Sequence, residues 1–144
     1  MPFFEWEPGF SVRINEIDRQ HKNLIGLINR LFEVMRPGKQ ETFDSSLKEL
    51  VTQASVIEEM ISYSHYHFST EEKYMGKYLY PGFEEHKKEH KSFVDEVERF
   101  KADFDSGKVL LSVQIMEFLK KWLGDHILGT DKKFEPFFQA KGLK

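Results

Sequence analysis

Apolar residues recur three and four positions apart along almost the whole chain, and no stretch alternates apolar and polar as a half-buried strand would. The pattern breaks at a few places rich in Gly or Pro: "PGF" at 8–10, "PGK" at 37–39, "PGF" at 81–83, "SGK" at 106–108 and "LGT" at 128–130. Such residues punctuate helices because Pro lacks a backbone N–H and Gly is conformationally permissive. The segments between them predict four helices, at about 18–36, 44–78, 83–105 and 109–128. Pro37-Gly38 stops the first, Pro81-Gly82 the second and Gly107 the third. The connections are short, so successive helices should run antiparallel. The expected architecture is all-α: an up-down-up-down four-helix bundle with an N-terminal extended arm. The 144 residues suit a single domain spanning 1–144, long enough to bury a core without disulfide or metal staples.

The angular positions of the histidines change this picture. At about 100° per residue, His90, Phe93, Val97, Phe100 and Phe104 all fall within about 40° of His86. The two histidines of "HKKEH" (86–90) therefore continue a stripe that faces the core, while Lys87, Lys88 and Lys91 point away. His21 shares the buried face of the first helix with Ile17, Leu24 and Ile25. His67 shares a face with Val56, Met60, Tyr63 and Tyr74, and Glu71 follows it four residues on. His126 lies close in angle to Ile115, Leu119 and Trp122. His65 is the contrast: it lies about 200° from His67 and belongs on the surface or in a groove.

Composition narrows what such a core is for. The chain has no cysteine, hence no disulfide and no thiolate metal site. Its net charge of −3 offers no basic field for nucleic acid or an anionic membrane. The start, "MPFFEWEPGF", carries acids and lacks the basic, apolar profile of a signal peptide, and no apolar run approaches the ~20 residues of a membrane span. The expectation is a cytoplasmic protein, a monomer rather than an oligomer, with neither nucleic acid nor membrane as partner. The 14 Phe residues pack the core first and wall any internal pocket second.

Five inward histidines need five hydrogen-bond partners that the apolar stripes do not offer, and a shared metal satisfies them together. Five imidazoles and a carboxylate exceed the four ligands of a zinc site. The pattern H-x-x-E-H also marks inverted zinc peptidases, but their glutamate would be Glu89, about 60° from His86 at the margin of the stripe. Imidazole with carboxylate suits iron, and bundle cores are where di-iron centres sit. The Glu-x-x-His motif of ferritin-like di-iron proteins occurs nowhere in the chain. Two cations held close need bridging carboxylates. Glu71 is one. Asp131 lies five after His126, about 140° round an ideal helix, and Gly129 between them is where the helix could loosen and let it turn back. Spacing allows that placement without requiring it.

The blocks "IDRQHKNLIGLINRL" (17–31), "HFSTEEKYM" (67–75), "HKKEHKSF" (86–93) and "WLGDHILGTD" (122–131) resemble the motif blocks of the hemerythrins in their bacterial form, in the right order and each on its own predicted helix. The tryptophan of "EWEPGFSV" also fits that form. The resemblance implies two iron ions with an oxo or hydroxo bridge. It implies His86, His90 and His126 on one iron, His21 and His67 on the other with a position left open, and Glu71 and Asp131 bridging both. Trp122, Leu123 and Ile127 would line the O2 pocket. Arg13 departs from the pattern, standing where bacterial relatives often carry a small residue. The implied function is reversible O2 binding by a carrier, store or delivery protein, with no enzymatic activity. Two alternatives stand beside it. An O2 or redox sensor module usually sits in a longer chain. A di-iron oxidase or peroxide-consuming enzyme would want a substrate pocket and a general acid, which the sequence does not display.

Overall fold

The computed structural model describes residues 2–35 and 43–144, with side chains omitted at 43–46. It is all-α: α1 (Asn15–Met35), α2 (Phe43–Lys77), α3 (Phe83–Asp105) and α4 (Val113–His126) form the expected four-helix bundle. α1 packs against α2 and α4, and α2 against α3. The predicted end of the first helix at Arg36, with its Pro37-Gly38 stop, lies outside the described residues. Among the described residues no helix is long and apolar enough to cross a membrane.

Three boundaries differ from the sequence pattern, the first being that α1 starts at Asn15 rather than near 18. α4 starts at Val113 rather than near 109, because Ser112 adopts an extended conformation and its side chain accepts the Ile115 N–H. The chain also does not stop near 128. A five-residue π turn (Ile127–Asp131) carries α4 into a further helix, α5 (Lys132–Ala140), which buries Phe134 and Phe138 despite Pro136 within it. The Gly129 signal marked a change of helical pitch instead of an end.

The core has two parts. The larger runs along the bundle and includes Leu24, Ile28, Leu31, Ile57, Met60, Met116 and Leu119. The smaller caps one end and joins Val12 and Ile14 of the arm, Ile17, Met75, and Phe134 and Phe138 of α5. The inward histidines fall between these parts on each helix: His21 between Ile17 and Leu24, His126 between Leu123 and Phe134.

The arm is extended apart from one 3-10 turn (Pro8–Phe10). Asn29 holds it twice, its Oδ1 accepting the Phe4 N–H at 2.7 Å and its Nδ2 donating to Phe4 O at 2.8 Å. Asp18 accepts from the Ser11 hydroxyl (2.6 Å) and the Val12 N–H (2.8 Å), and Lys132 of α5 donates to Ser11 O at 2.8 Å. Arg13 sits in the left-handed region at φ 60°. Glycine adopts this conformation without the steric cost that any Cβ brings.

Candidate metal centre

Seven buried residues converge between the two parts of the core. Glu71, His86, His90, His126 and Asp131 form one group, and His21, His67, Glu71 and Asp131 a second, with ligand atoms in each group within 4.8 Å of one another. Glu71 and Asp131 belong to both groups, and each of the seven is at most 2% exposed. Helical spacing explains most of this. His67 and Glu71 lie four apart on α2, and His86 and His90 four apart on α3, so each pair shares one face. Asp131 arrives by the π turn, where the Lys132 N–H bonds to Ile127 O, five residues back. An i→i+5 turn holds one extra residue, so Asp131 takes the place relative to His126 that an i+4 residue has in an α-helix.

The outer ring nitrogens define the inner ones. His90 Nδ1 faces Glu72 Oε2 at 2.9 Å and His126 Nδ1 faces Glu89 Oε1 at 3.0 Å. His67 Nδ1 faces Gln20 Oε1 at 2.8 Å, and the amide is oriented by its Nε2, which donates to Thr70 Oγ1. These partners are acceptors, so each Nδ1 carries the hydrogen and each neutral ring is left with a bare Nε2 lone pair. Those lone pairs all point inward. His90 Nε2 and His126 Nε2 lie 3.1 Å apart. His67 Nε2 is 3.0 Å from Glu71 Oε2, His90 Nε2 is 3.0 Å from Glu71 Oε1, and His126 Nε2 is 3.1 Å from Asp131 Oδ1. Acceptors crowded this closely in a dry core repel one another unless cations lie among them. Several of these atoms, among them Glu71 Oε1, both Asp131 carboxylate oxygens and Nε2 of His67 and His86, have no hydrogen-bond partner.

Without metal, protons serve as the cations. Burial disfavours charge on His21 and His86, but Asp131 and Glu71 beside them outweigh it and raise both to about 9. For His126 the same contest, with Asp131 the main opponent of burial, ends at about 10. Burial prevails at His67 and pushes it down. Burial opposes ionisation of Glu71 too, yet His67, His21 and His86 hold it well below the usual carboxylate range. Asp131 is depressed likewise, against its own burial and the charge of Glu71, by His126 and His21.

An aromatic ring backs each member of the three-histidine group in near-parallel stacking. Phe68 lies on His90 (4.0 Å between centroids, 10°), Trp122 on His126 (4.6 Å, 13°) and Phe134 on His86 (5.4 Å, 4°). His21 and His67 instead meet edge to face at 4.6 Å. Trp122 thus stands beside the three-histidine group, while Leu123 and Ile127 are buried at 2% and 0% exposure. His65 is apart from the centre, its Nε2 3.2 Å from Glu98 Oε1 on the surface. Glu89 points outside the metal groups, where the His126 hydrogen bond, against partial burial, draws its carboxyl down to about 2. That position removes it from the role a zinc peptidase would give it.

Sequence reasoning missed Gln20, Glu72 and Thr130 and gave Glu89 no part. Thr130 donates to both Glu89 oxygens, at 2.8 and 3.0 Å. Gln20, 1% exposed, carried a signal as a polar residue beside His21 that had to find buried partners. Glu72 and Glu89 carried none, because charged residues at the edge of a helix face are ordinary.

Residues 12–138 match the family model described as Hemerythrin HHE cation binding domain. The chain is 30% identical over 134 residues to the bacteriohemerythrin of Clostridium acetobutylicum, covering 91% of this chain and 98% of that one. It is also 30% identical over 132 residues to a hemerythrin-like protein of Naegleria gruberi, covering 92% and 91% of the two chains. Among solved structures, a hemerythrin point mutant superposes with a TM-score of 0.84 at 25% identity, covering 94% of this chain and 97% of that chain. Wild-type hemerythrin superposes with a TM-score of 0.81 at 24% identity, covering 93% and 96%.

Proposed function

The chain belongs to the hemerythrin HHE cation-binding family, and from that premise we propose that its centre holds two iron ions and binds O2 reversibly, as an oxygen carrier, store or delivery protein. The observation that carries this reading is the set of imidazole lone pairs aimed at two shared, buried carboxylates. Imidazole and carboxylate without thiolate is a donor set suited to iron. When bound, ferrous iron supplies the electrons that O2 draws on as it binds.

The protein's own side chains do the rest. His86, His90 and His126, with Glu71 and Asp131, provide five donors around one position. His21 and His67, with the same carboxylates, would provide four around the other, one donor fewer, so that a metal held there would have room for a small ligand. Glu71 and Asp131, common to both groups, would hold the two positions close together. The stacked rings of Phe68, Trp122 and Phe134 hold the three-histidine group in place. Leu123 and Ile127, buried next to His126 in the chain, and Trp122, stacked on its ring, would help to exclude water and larger reductants, which favours return of O2 over its consumption. The reading assigns no catalytic residue and treats residues 1–144 as one domain.

One property argues against an enzyme of organic substrates: the donor groups are closed off at no more than 2% exposure. A cavity of about 370 Å³ opens on the α2–α3 surface between charged residues such as Lys87, Lys91 and Glu98, and reaches the donor groups only at His90 and the Glu72 behind it. The test is gas uptake. Diferrous protein should take up about one O2 per pair of irons and release it under argon, and azide should compete for the open position once the centre is oxidised. Continuous O2 consumption with stoichiometric oxidation of an added organic compound would overturn the carrier reading.

A further inference from the structure

The two halves of the centre differ in what stands behind their imidazoles. In the three-histidine group, His90 and His126 each present Nδ1 to a carboxylate, Glu72 at 2.9 Å and Glu89 at 3.0 Å. In the two-histidine group, His67 presents Nδ1 to the neutral amide of Gln20; each group keeps one further ring, His21 here and His86 in the other, whose Nδ1 has no hydrogen-bond partner, so the contrast rests on Glu72 and Glu89 against Gln20. We propose that Glu72 and Glu89 are positioning residues that make the three-histidine half the first to take a divalent metal from solution, and that Gln20 leaves the two-histidine half to fill second.

This rests on the two-metal reading above and adds an order to it. A carboxylate that accepts the Nδ1 hydrogen pulls it outward and shifts electron density to Nε2, making the ring a better donor. An uncharged amide oxygen accepts the same bond with a weaker pull. The carboxylates also fix the tautomer and the ring orientation, so that the Nε2 atoms of His90 and His126 are the ones aimed at the metal position. Glu89 is itself held by Thr130, which lies in the π turn that also brings Asp131 inward. One backbone irregularity therefore sets both a carboxylate donor of the centre and the acceptor behind His126.

The three-histidine half already has one donor more than the other, so wild-type order alone does not isolate the carboxylates. The deciding experiment titrates metal-free, full-length protein with Co(II) under nitrogen, following its visible absorption in competition with a chelator. Wild type should bind two ions in two steps. Glu72→Gln and Glu89→Gln keep an acceptor oxygen and the ring orientation while removing the charge. Each should weaken the first step by about 10–100-fold and leave the second nearly unchanged. Gln20→Glu should strengthen the second step and narrow the gap between the two, an effect that a purely structural role for these side chains does not produce. Circular dichroism checks folding, and if one Glu variant fails to fold, the other and Gln20→Glu decide. An unchanged first step in the Glu variants, or a loss confined to the second step, overturns the proposal while leaving the two-metal reading intact. Uptake of fewer than two Co(II) by wild type overturns both.

Discussion

At the scale of single residues, orientation decides the role of a histidine. His65 and His67 are two apart, yet one pairs with Glu98 at the surface and the other is 0% exposed in the centre. His65→Ala should retain the full iron content of wild type, whereas His86→Ala should lose iron or keep one ion, as measured by metal analysis of purified protein. Equal loss in both variants would contradict the geometry. Protons and metal should also trade places with pH. In the metal-free chain His21 and His86 stand at about 9 and His126 at about 10, above the ordinary 6.5. A raised value in the folded state stabilises fully below 6.5 and is lost as pH climbs through 9 to 10. Glu71 and Asp131, both depressed, stabilise above their ordinary 4.5 and 3.8 and lose that contribution as pH falls. The metal-free protein should therefore melt at its highest temperature in mildly acid solution and lose Tm steadily between neutral pH and 10. The iron-loaded protein should not show the alkaline loss, because iron occupies the place of the protons. Its own weakness should be acid, where protons compete for the same nitrogens. Calorimetry of both forms across pH checks the pair of trends.

Among the elements, the π turn does the least conventional work. Its extra residue brings Asp131 onto the His126 face, and Leu128 within it is 51% exposed. Deleting Leu128 should restore an ordinary helix with Asp131 four after His126, still inward, and so preserve iron binding. Inserting an alanine after Leu128 should rotate Asp131 and α5 away and abolish it, with metal analysis again the readout. The α2–α3 turn makes a second, independent prediction. Leu79 lies in the left-handed region at φ 57° and is 82% exposed, while Tyr80 N bonds back to Met75 O at 2.9 Å, the capping bond expected after a helix end. A left-handed side chain costs about 1–2 kcal/mol, against about 0.5–1 kcal/mol for the extra freedom of glycine in the unfolded chain. Leu79→Gly should thus stabilise by roughly 0.5–1 kcal/mol, a rise in Tm of about 2–4 °C, with iron content unchanged.

Across the whole molecule, the centre lies at the seam between two cores, so stability and metal binding are coupled. Phe134 shows the coupling. It is 0% exposed, belongs to the smaller core and stacks on His86 at 5.4 Å. Phe134→Ala should cost about 3–5 kcal/mol of unfolding free energy and loosen His86 as well. Iron loading should then recover part of the lost Tm, because a ligand that binds only the folded chain stabilises it by mass action. A variant that loses stability without any change in iron affinity would show that the smaller core and the centre act separately.

The sequence by itself determined the helical fold and the inward histidines. Both follow from a 3.6-residue period, a local property that angles along one helix express directly. Glu71 was legible for the same reason, sitting four after His67 on an uninterrupted helix. Only the tertiary structure decided the rest. Asp131 was implied by the resemblance of the motif blocks but left open by spacing, because its placement depends on a turn whose hydrogen bond reaches five residues back, and ordinary helical angles assign it to the wrong face. α5 was hidden because Gly129 and Pro136 are stop signals in isolation, and burial of Phe134 and Phe138 against the arm overrides them. Gln20, Glu72 and Glu89 gained their meaning from rings 18 to 47 residues distant in the chain. No local period encodes which outer acceptor meets which Nδ1. That is fixed when helices pack and each buried N–H must find an oxygen.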